Sequence, residues 1–134
     1  GMGIISSASI GFTQPDFKKN NYEANKRALV SEISRAKEIA SGNGMVGVNV
    51  LVALKDSADL ISTAAHAGAD CVVAGAGLSL DLPALVQGTD TAIAPIVSSG
   101  RAASVICRAW KRHANRLSEK VPWLHPSPDI DLFS

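Results

Sequence analysis

Aromatic side chains are scarce in this chain: two Trp, one Tyr and three Phe make up 4% of its 134 residues. A core of any size must therefore be built from Val, Ile, Leu and Ala, which suits the interior of a parallel sheet. Cysteine is equally scarce. Cys71 and Cys107 are the only two, too few for the disulfide framework of a small secreted domain. No secretory leader is legible, so reduced thiols and a cytoplasmic location are the expectation. Cys71 opens a predicted strand, Cys107 falls in a predicted helix, and both read as small core or boundary residues. An excess of one charge is also missing. Lys and Arg number 13 against 12 Asp and Glu, a net of +1, which argues against a general binder of nucleic acid or membrane surface. No apolar run approaches the roughly 18 residues that would cross a bilayer. No His, Cys, Asp or Glu cluster has metal-ligand spacing, so no metal is expected.

What is present is alternation. Hydrophobic residues make up 46% of one domain's length. Four apolar β-type segments occur: Gly3 to Ser7, Met45 to Val52, Cys71 to Gly77 and Ala92 to Ser99. Helical stretches separate them, a rhythm that implies a parallel sheet covered by helices. The first helix is expected over Tyr22 to Ala40, with Ala28, Leu29, Ile33, Ala36 and Ala40 on its inner stripe and Gly42-Asn43-Gly44 as its stop. Leu60, Ile61, Ala64 and Ala65 form the inner stripe of the second, for which Asp56 or Ser57 can serve as cap. A short third helix spans about Leu82 to Gln87, with Pro83 in its first turn. The fourth runs from Ser98 or Ser99 to about Arg116. Its inner stripe is Ala102, Ala103, Ile106, Ala109, Trp110 and His113, while Arg108, Lys111, Arg112 and Arg116 read as a solvated face. The connection Ala8 to Asn21 is longer than most in compact βα units, so it is functional or mobile.

In sheets of this kind ligands bind beyond the carboxyl ends of the strands. The tips at Asn49, at Gly75-Ala76-Gly77 and at Ser98-Ser99 are therefore the candidate site. Asn49 is an amide inside an apolar strand, where it needs hydrogen-bond partners. It can contact a ligand or bond to a neighbouring strand end. Gly75 to Gly77 allow close backbone approach, or simply turn the chain. Ser98 and Ser99 can present hydroxyls to a ligand, or cap the helix. His66 reads as a helix-end residue. Asp70 and Asp81 flank the third strand at opposite ends and cannot form an acid–base pair. No catalytic residue is identifiable.

The stretches Gly3-Ile4-Ile5-Ser6, Gly47-Val48-Asn49, Ala74-Gly75-Ala76-Gly77-Leu78 and Pro95-Ile96-Val97-Ser98-Ser99, in this order and spacing, resemble the FMN-dependent nitronate monooxygenase (2-nitropropane dioxygenase) family. The flavin-dependent enoyl-acyl-carrier-protein reductases look similar too. The resemblance implies a (βα)₈ barrel of which residues 1–116 supply strands two to five, a half-barrel. It implies FMN as cofactor, oxidation of alkyl nitronates with O₂, and flavin contacts by Asn49, Gly75, Ala76, Gly77, Ser98 and Ser99. The family's first strand, its sixth strand with the catalytic His, and its phosphate loops have no counterpart here. His66, His113 and His125 do not match that His.

Residues 117–134 depart from the family in a Pro-rich tail, the out-of-frame end of a disrupted gene or a genuine short variant. Gly1 before Met2 reads as an appended residue. The rival function is a non-catalytic, dimerising fragment. Half a barrel would expose an apolar inner face, expected to include Val48, Val50, Val72, Ala74 and Val97. Three covers are conceivable: a homodimer, the tail folded back (with Trp123 to Pro126 packed on a neighbouring surface), or a flattened, doubly wound sheet. The homodimer is the favoured one.

Overall fold

The computed structural model describes the backbone of residues 1–120 and the side chains of residues 1–115. The elements alternate: β1 (Met2–Ser6), α1 (Asn21–Ala40), β2 (Met45–Leu51), α2 (Ser57–His66), β3 (Cys71–Gly75), α3 (Leu82–Leu85), β4 (Ala92–Pro95) and α4 (Gly100–Lys120). All three strand pairs are parallel, and the spatial order is β1-β2-β3-β4. Doubly wound sheets reverse strand order to place helices on both faces. Here the order never reverses, so the helices share one face, as in half of a (βα)₈ barrel.

Burial follows the pleat. Side chains alternate faces along a strand. Val48 and Val50 of β2 and Val72 and Ala74 of β3 are fully buried. They pack with Leu29 and Ile33 of α1 and with Leu60, Ile61, Ala64 and Ala65 of α2. Leu82 and Val86 extend this core, and Ile5, Ile93 and Trp110 close it at the margins. The expectation that Val48, Val50, Val72 and Ala74 belong to the exposed inner face is therefore corrected, because these residues have the parity of the helix-covered side. Val97 lies beyond β4 and is 38% exposed.

The opposite face carries Met2, Ile4, Met45, Asn49, Leu51, Cys71, Val73 and Ile96. Nothing among the described residues covers it. Met2, Ile4, Met45, Leu51 and Ile96 are each 37–56% exposed. Gly47 and Gly75 sit low on this face because neighbours lean over them. A methyl group added at Gly47 would meet Ile4 Cδ1 at 2.5 Å, and one at Gly75 would meet Ile96 Cδ1 at 3.0 Å.

Local chemistry explains the helix ends. Asn20 caps α1, its side chain accepting the Glu23 N–H at 3.4 Å. Ser41 ends α1 in the left-handed conformation, φ 47°, followed by Gly42 at 78°. Asp56 occupies the N-cap position of α2 without a side-chain bond. Ser57 instead donates its hydroxyl to the Val52 carbonyl at 3.0 Å. The inner stripe of α4 is as the spacing predicts: Ile106 is buried and the other five are half-buried. Helix α4 continues past Arg116 to Lys120. The tail from residue 121, Trp123 to Pro126 and His125 included, lies outside the described residues. Cys107, expected at a core or boundary, is exposed, whereas Cys71 is buried.

The long β1–α1 connection is a chain of hydrogen-bonded turns. Ile10 bonds back to Ser7, Phe12 to Ser9, Gln14 to Gly11 and Phe17 to Gln14, at 2.8–3.3 Å. Two anchors fix it to α1: the Gly11 N–H donates to Asn25 Oδ1 at 2.9 Å, and Arg27 pairs with Asp16 at 2.7 Å.

Candidate functional site

The carboxyl ends of the strands bring the proposed residues to one rim, though not into one cleft. Asn49 lies on the uncovered face, in register with Ser6 on one side and Val73 on the other. It is half-buried rather than buried. Its side-chain amide makes no hydrogen bond among the described residues, so the expectation of a bond to a neighbouring strand end is not met. Its carbonyl is engaged instead. Ser7 donates both its N–H, at 3.1 Å, and its hydroxyl, at 3.0 Å, to that oxygen. Ser7 is fully buried, and sequence reasoning passed over it. The signal was a hydroxyl at the end of a short apolar strand.

The second tip is tied to the first by the Val52 N–H donating to the Gly75 carbonyl at 2.7 Å. Gly75 makes room for Ile96. Ala76 is held in the left-handed region at φ 57°, which costs an L-residue about 1–2 kcal/mol. Gly77, at φ 159°, is needed for a different reason: a Cβ there would stand 3.1 Å from Val52 Cγ1. Ala76 and Gly77 are exposed.

At the third tip β4 ends at Pro95, Ile96 still donates its N–H to the Ala74 carbonyl, and residues 97–99 leave the sheet exposed. Ser99 Oγ accepts the Ala102 N–H at 3.2 Å, a helix cap. Ser98 is exposed beside it.

A concavity of about 220 Å³ lies to one side, between the β2–α2 and β3–α3 connections. Val52, Ile61, Leu78, Leu80, Leu82 and Leu85 line it with Ser57, Ala58, Ser79 and Asp81. None of the six sequence-proposed site residues does. Ser79 Oγ is buried without a hydrogen-bond partner among the described residues, while its carbonyl accepts the Trp110 indole N–H at 3.0 Å. Cavities that enclose cofactors and drug-sized ligands run to several hundred Å³, so this one is too small for a whole FMN.

The ionisable groups with shifted pKa values lie outside the strand tips. Asp70, before β3, accepts the Val46 N–H at 2.7 Å and Lys37 Nζ at 2.9 Å. These contacts, the backbone bond foremost, hold its carboxyl below the usual range. Asp16 is lowered chiefly by its hydrogen bond from Arg27. The hydrogen bond from Tyr22 to Asp59 raises the phenol to about 12. Burial pushes the Cys71 thiol up. His66 ends α2, its Nδ1 2.8 Å from the Ser62 carbonyl. Asp81 precedes α3, at the other end of β3 from Asp70, as its sequence position implies. No group of His, Cys, Asp and Glu suited to a metal ion occurs among the described residues. No described helix is long and apolar enough to cross a membrane.

FMN fits this arrangement in part. The free Asn49 amide can donate to and accept from the polar edge of an isoalloxazine ring, and the adjacent apolar face can receive the ring. The phosphate finds no glycine-rich cradle among the described residues. No family model matches the chain, and neither does any curated protein.

Proposed function

We propose that this chain is a half-barrel flavin module, with the carboxyl-end rim of the uncovered face as the ring-binding surface. The observation that carries this reading is Asn49: an unengaged amide, at the carboxyl end of a parallel strand, amid apolar side chains. The chain contacts one face and the polar edge of FMN through Asn49. Backbone groups of Gly75, Ala76 and Gly77 and the hydroxyls of Ser98 and Ser99 lie at the rim of the same surface. FMN, when bound, supplies electron transfer from an alkyl nitronate to O₂, the reaction that the resemblance implies. The chain's own part is to seat and orient the ring. The working unit is a homodimer, since four strands supply only half of the barrel rim on which the ring rests.

Titration of the chain with FMN, followed by quenching of flavin fluorescence, tests the reading. Saturable binding is expected, weakened by Asn49→Ala about tenfold, the equivalent of one net hydrogen bond of about 1.4 kcal/mol. Absence of uptake at millimolar FMN would refute it. Oxygen consumption with an alkyl nitronate, against reducing-cofactor oxidation with an enoyl thioester, separates the two related flavin chemistries.

A second reading is favoured by one specific observation. The only ionisable side chain on the uncovered face among the described residues is Cys71, which is buried and has a raised pKa. A module without a base there would bind or dimerise without catalysing.

A further inference from the structure

We infer that a second copy of this chain closes the uncovered face about a two-fold axis along the arc, laying β4 of each copy beside β1 of the other. The inference rests on the homodimer part of the reading above and is independent of flavin. Eight strands are the number at which side chains just fill a parallel barrel, and each copy supplies four in sequential order. A two-fold axis along the barrel keeps all eight strands parallel and joins unlike edges, as parallel closure requires.

Both edges have free backbone groups. Ser7 N–H bonds to the Asn49 carbonyl and Met45 N–H to the Gly1 carbonyl. Alternation then turns the backbone groups of Met2, Ile4 and Ser6 outward from β1. On β4, Ala92 and Ile96 donate back to Asp70 and Ala74, which turns Ile93 and Pro95 outward. Pro95 has no N–H, so the new ladder lacks one donor and side-chain packing must carry more of the contact. The uncovered side chains of Met2, Ile4, Met45, Leu51 and Ile96 supply it. In the closed assembly side chains would fill the interior and the strand tips of both copies would ring one mouth, so the ring-binding rim is complete only in the dimer.

On the outer helices a cationic flank would face one acidic side chain. Arg101, Val105, Arg108 and Arg112 recur at spacings of four, three and four, one flank of α4. All four are exposed, and none of the three Arg has an ion pair among the described residues. The other flank of α4 is engaged through Trp110 and the Ser79 carbonyl. Closure would set the free flank of α4 beside α1 of the second copy. There Glu32 and Ile39 are exposed, Ile39 at 75%, with Arg35 between them. The α2 side of α1 is already occupied by the Tyr22–Asp59 and Lys37–Asp70 contacts. The two helices would run the same way, so Arg112, twelve residues past the start of α4, would stand level with Glu32, eleven residues past the start of α1, with Arg108 one turn away.

Light scattering of the full chain at micromolar concentration, without flavin, should give twice the 13.9 kDa chain mass. Ile4→Glu adds a charge at an exposed position of the single chain, and in the dimer that charge would be buried in the seam. It should weaken association about a hundredfold or more, with far-ultraviolet circular dichroism unchanged. Arg112→Glu should weaken it less, and mixing that chain with a Glu32→Arg chain should restore association as a heterodimer. These two helix-surface variants decide the matter if Ile4→Glu does not fold. A monomeric wild type, a higher oligomer, or a dimer indifferent to the substitutions would overturn the inference. A dimer that takes up no FMN would uphold it while refuting the flavin reading.

Discussion

Asn25 is a buried amide with a hydrogen-bond partner, whereas Asn49 is half-buried and has none among the described residues. It is 7% exposed in α1, and its Oδ1 accepts the N–H of Gly11. Asn25→Ala would leave that N–H without its partner and should cost about 1–3 kcal/mol in chemical denaturation. Gly11→Ala should cost a similar amount by overpacking, because its Cβ would fall 2.5 Å from backbone atoms of Ala24. The sequence could not rank the two amides. Asn49 stood out by interrupting a strand, but its parity sends it to the uncovered face. Asn25 sits in a polar-looking part of a helix, and only the fold of the 8–20 connection brings a donor to it. A second residue-scale prediction concerns Tyr22. Its phenol should ionise near pH 12, followed by absorbance at the phenolate band. In Asp59→Asn it should return toward the ordinary value of about 10. A thiol reagent should label Cys107 promptly and Cys71 only on unfolding, since only the former is exposed.

At the scale of elements, the strands and helices were legible because each obeys a local rule. The inner stripes of α2 and α4 follow helical spacing, and the glycines after α1 and α2 adopt positive φ. The ends of β4 were not legible. Pro95-Ile96-Val97-Ser98-Ser99 has strand composition, yet only Ile96 continues the pairing to β3 beyond Pro95. Tertiary contacts that hold elements together were also hidden, and Asp70 is the clearest case. It joins the start of β2 to the last turn of α1, and no spacing rule links positions 37, 46 and 70. Its folded pKa lies below the unfolded value near 3.9. The stabilisation is therefore present above that value and is lost as pH falls through it toward the folded pKa. Asp70→Ala should cost about 1–2 kcal/mol at pH 7, reduced from a fully buried charged bond because the side chain is about a third exposed. In denaturant melts across pH the difference between wild type and variant should shrink at the acid end. A difference that stays constant would remove the ionic account.

For the whole molecule, the near-neutral total conceals a separation of charge. Helix α4, residues 100–120, holds six Lys and Arg and one acid, a net of +5. With +1 overall, the remaining residues carry −4. The sequence reading took the total as a reason to discount a general binder of nucleic acid or membrane surface, and took the basic run as solvated. The fold changes the meaning of that run, because it sets an exposed cationic flank at one end of an open arc and an exposed Glu32 at the other. If association unites those two ends, electrostatic attraction contributes to it and salt must weaken it. Between about 0.05 M and 0.5 M ionic strength the screening length falls from roughly 14 Å to roughly 4 Å. The dimer dissociation constant should then rise several-fold, since partly exposed pairs contribute about 1 kcal/mol at most. Burial of the apolar face responds oppositely, because excluded salts such as sulfate strengthen it. Sedimentation in NaCl and in sodium sulfate at matched ionic strength separates the two contributions. Arg112→Glu should flatten the NaCl dependence while leaving the sulfate response intact. A wild-type dimer whose dissociation constant is the same in low and high NaCl would show that the α4 flank faces solvent, and that the apolar face alone holds the copies together.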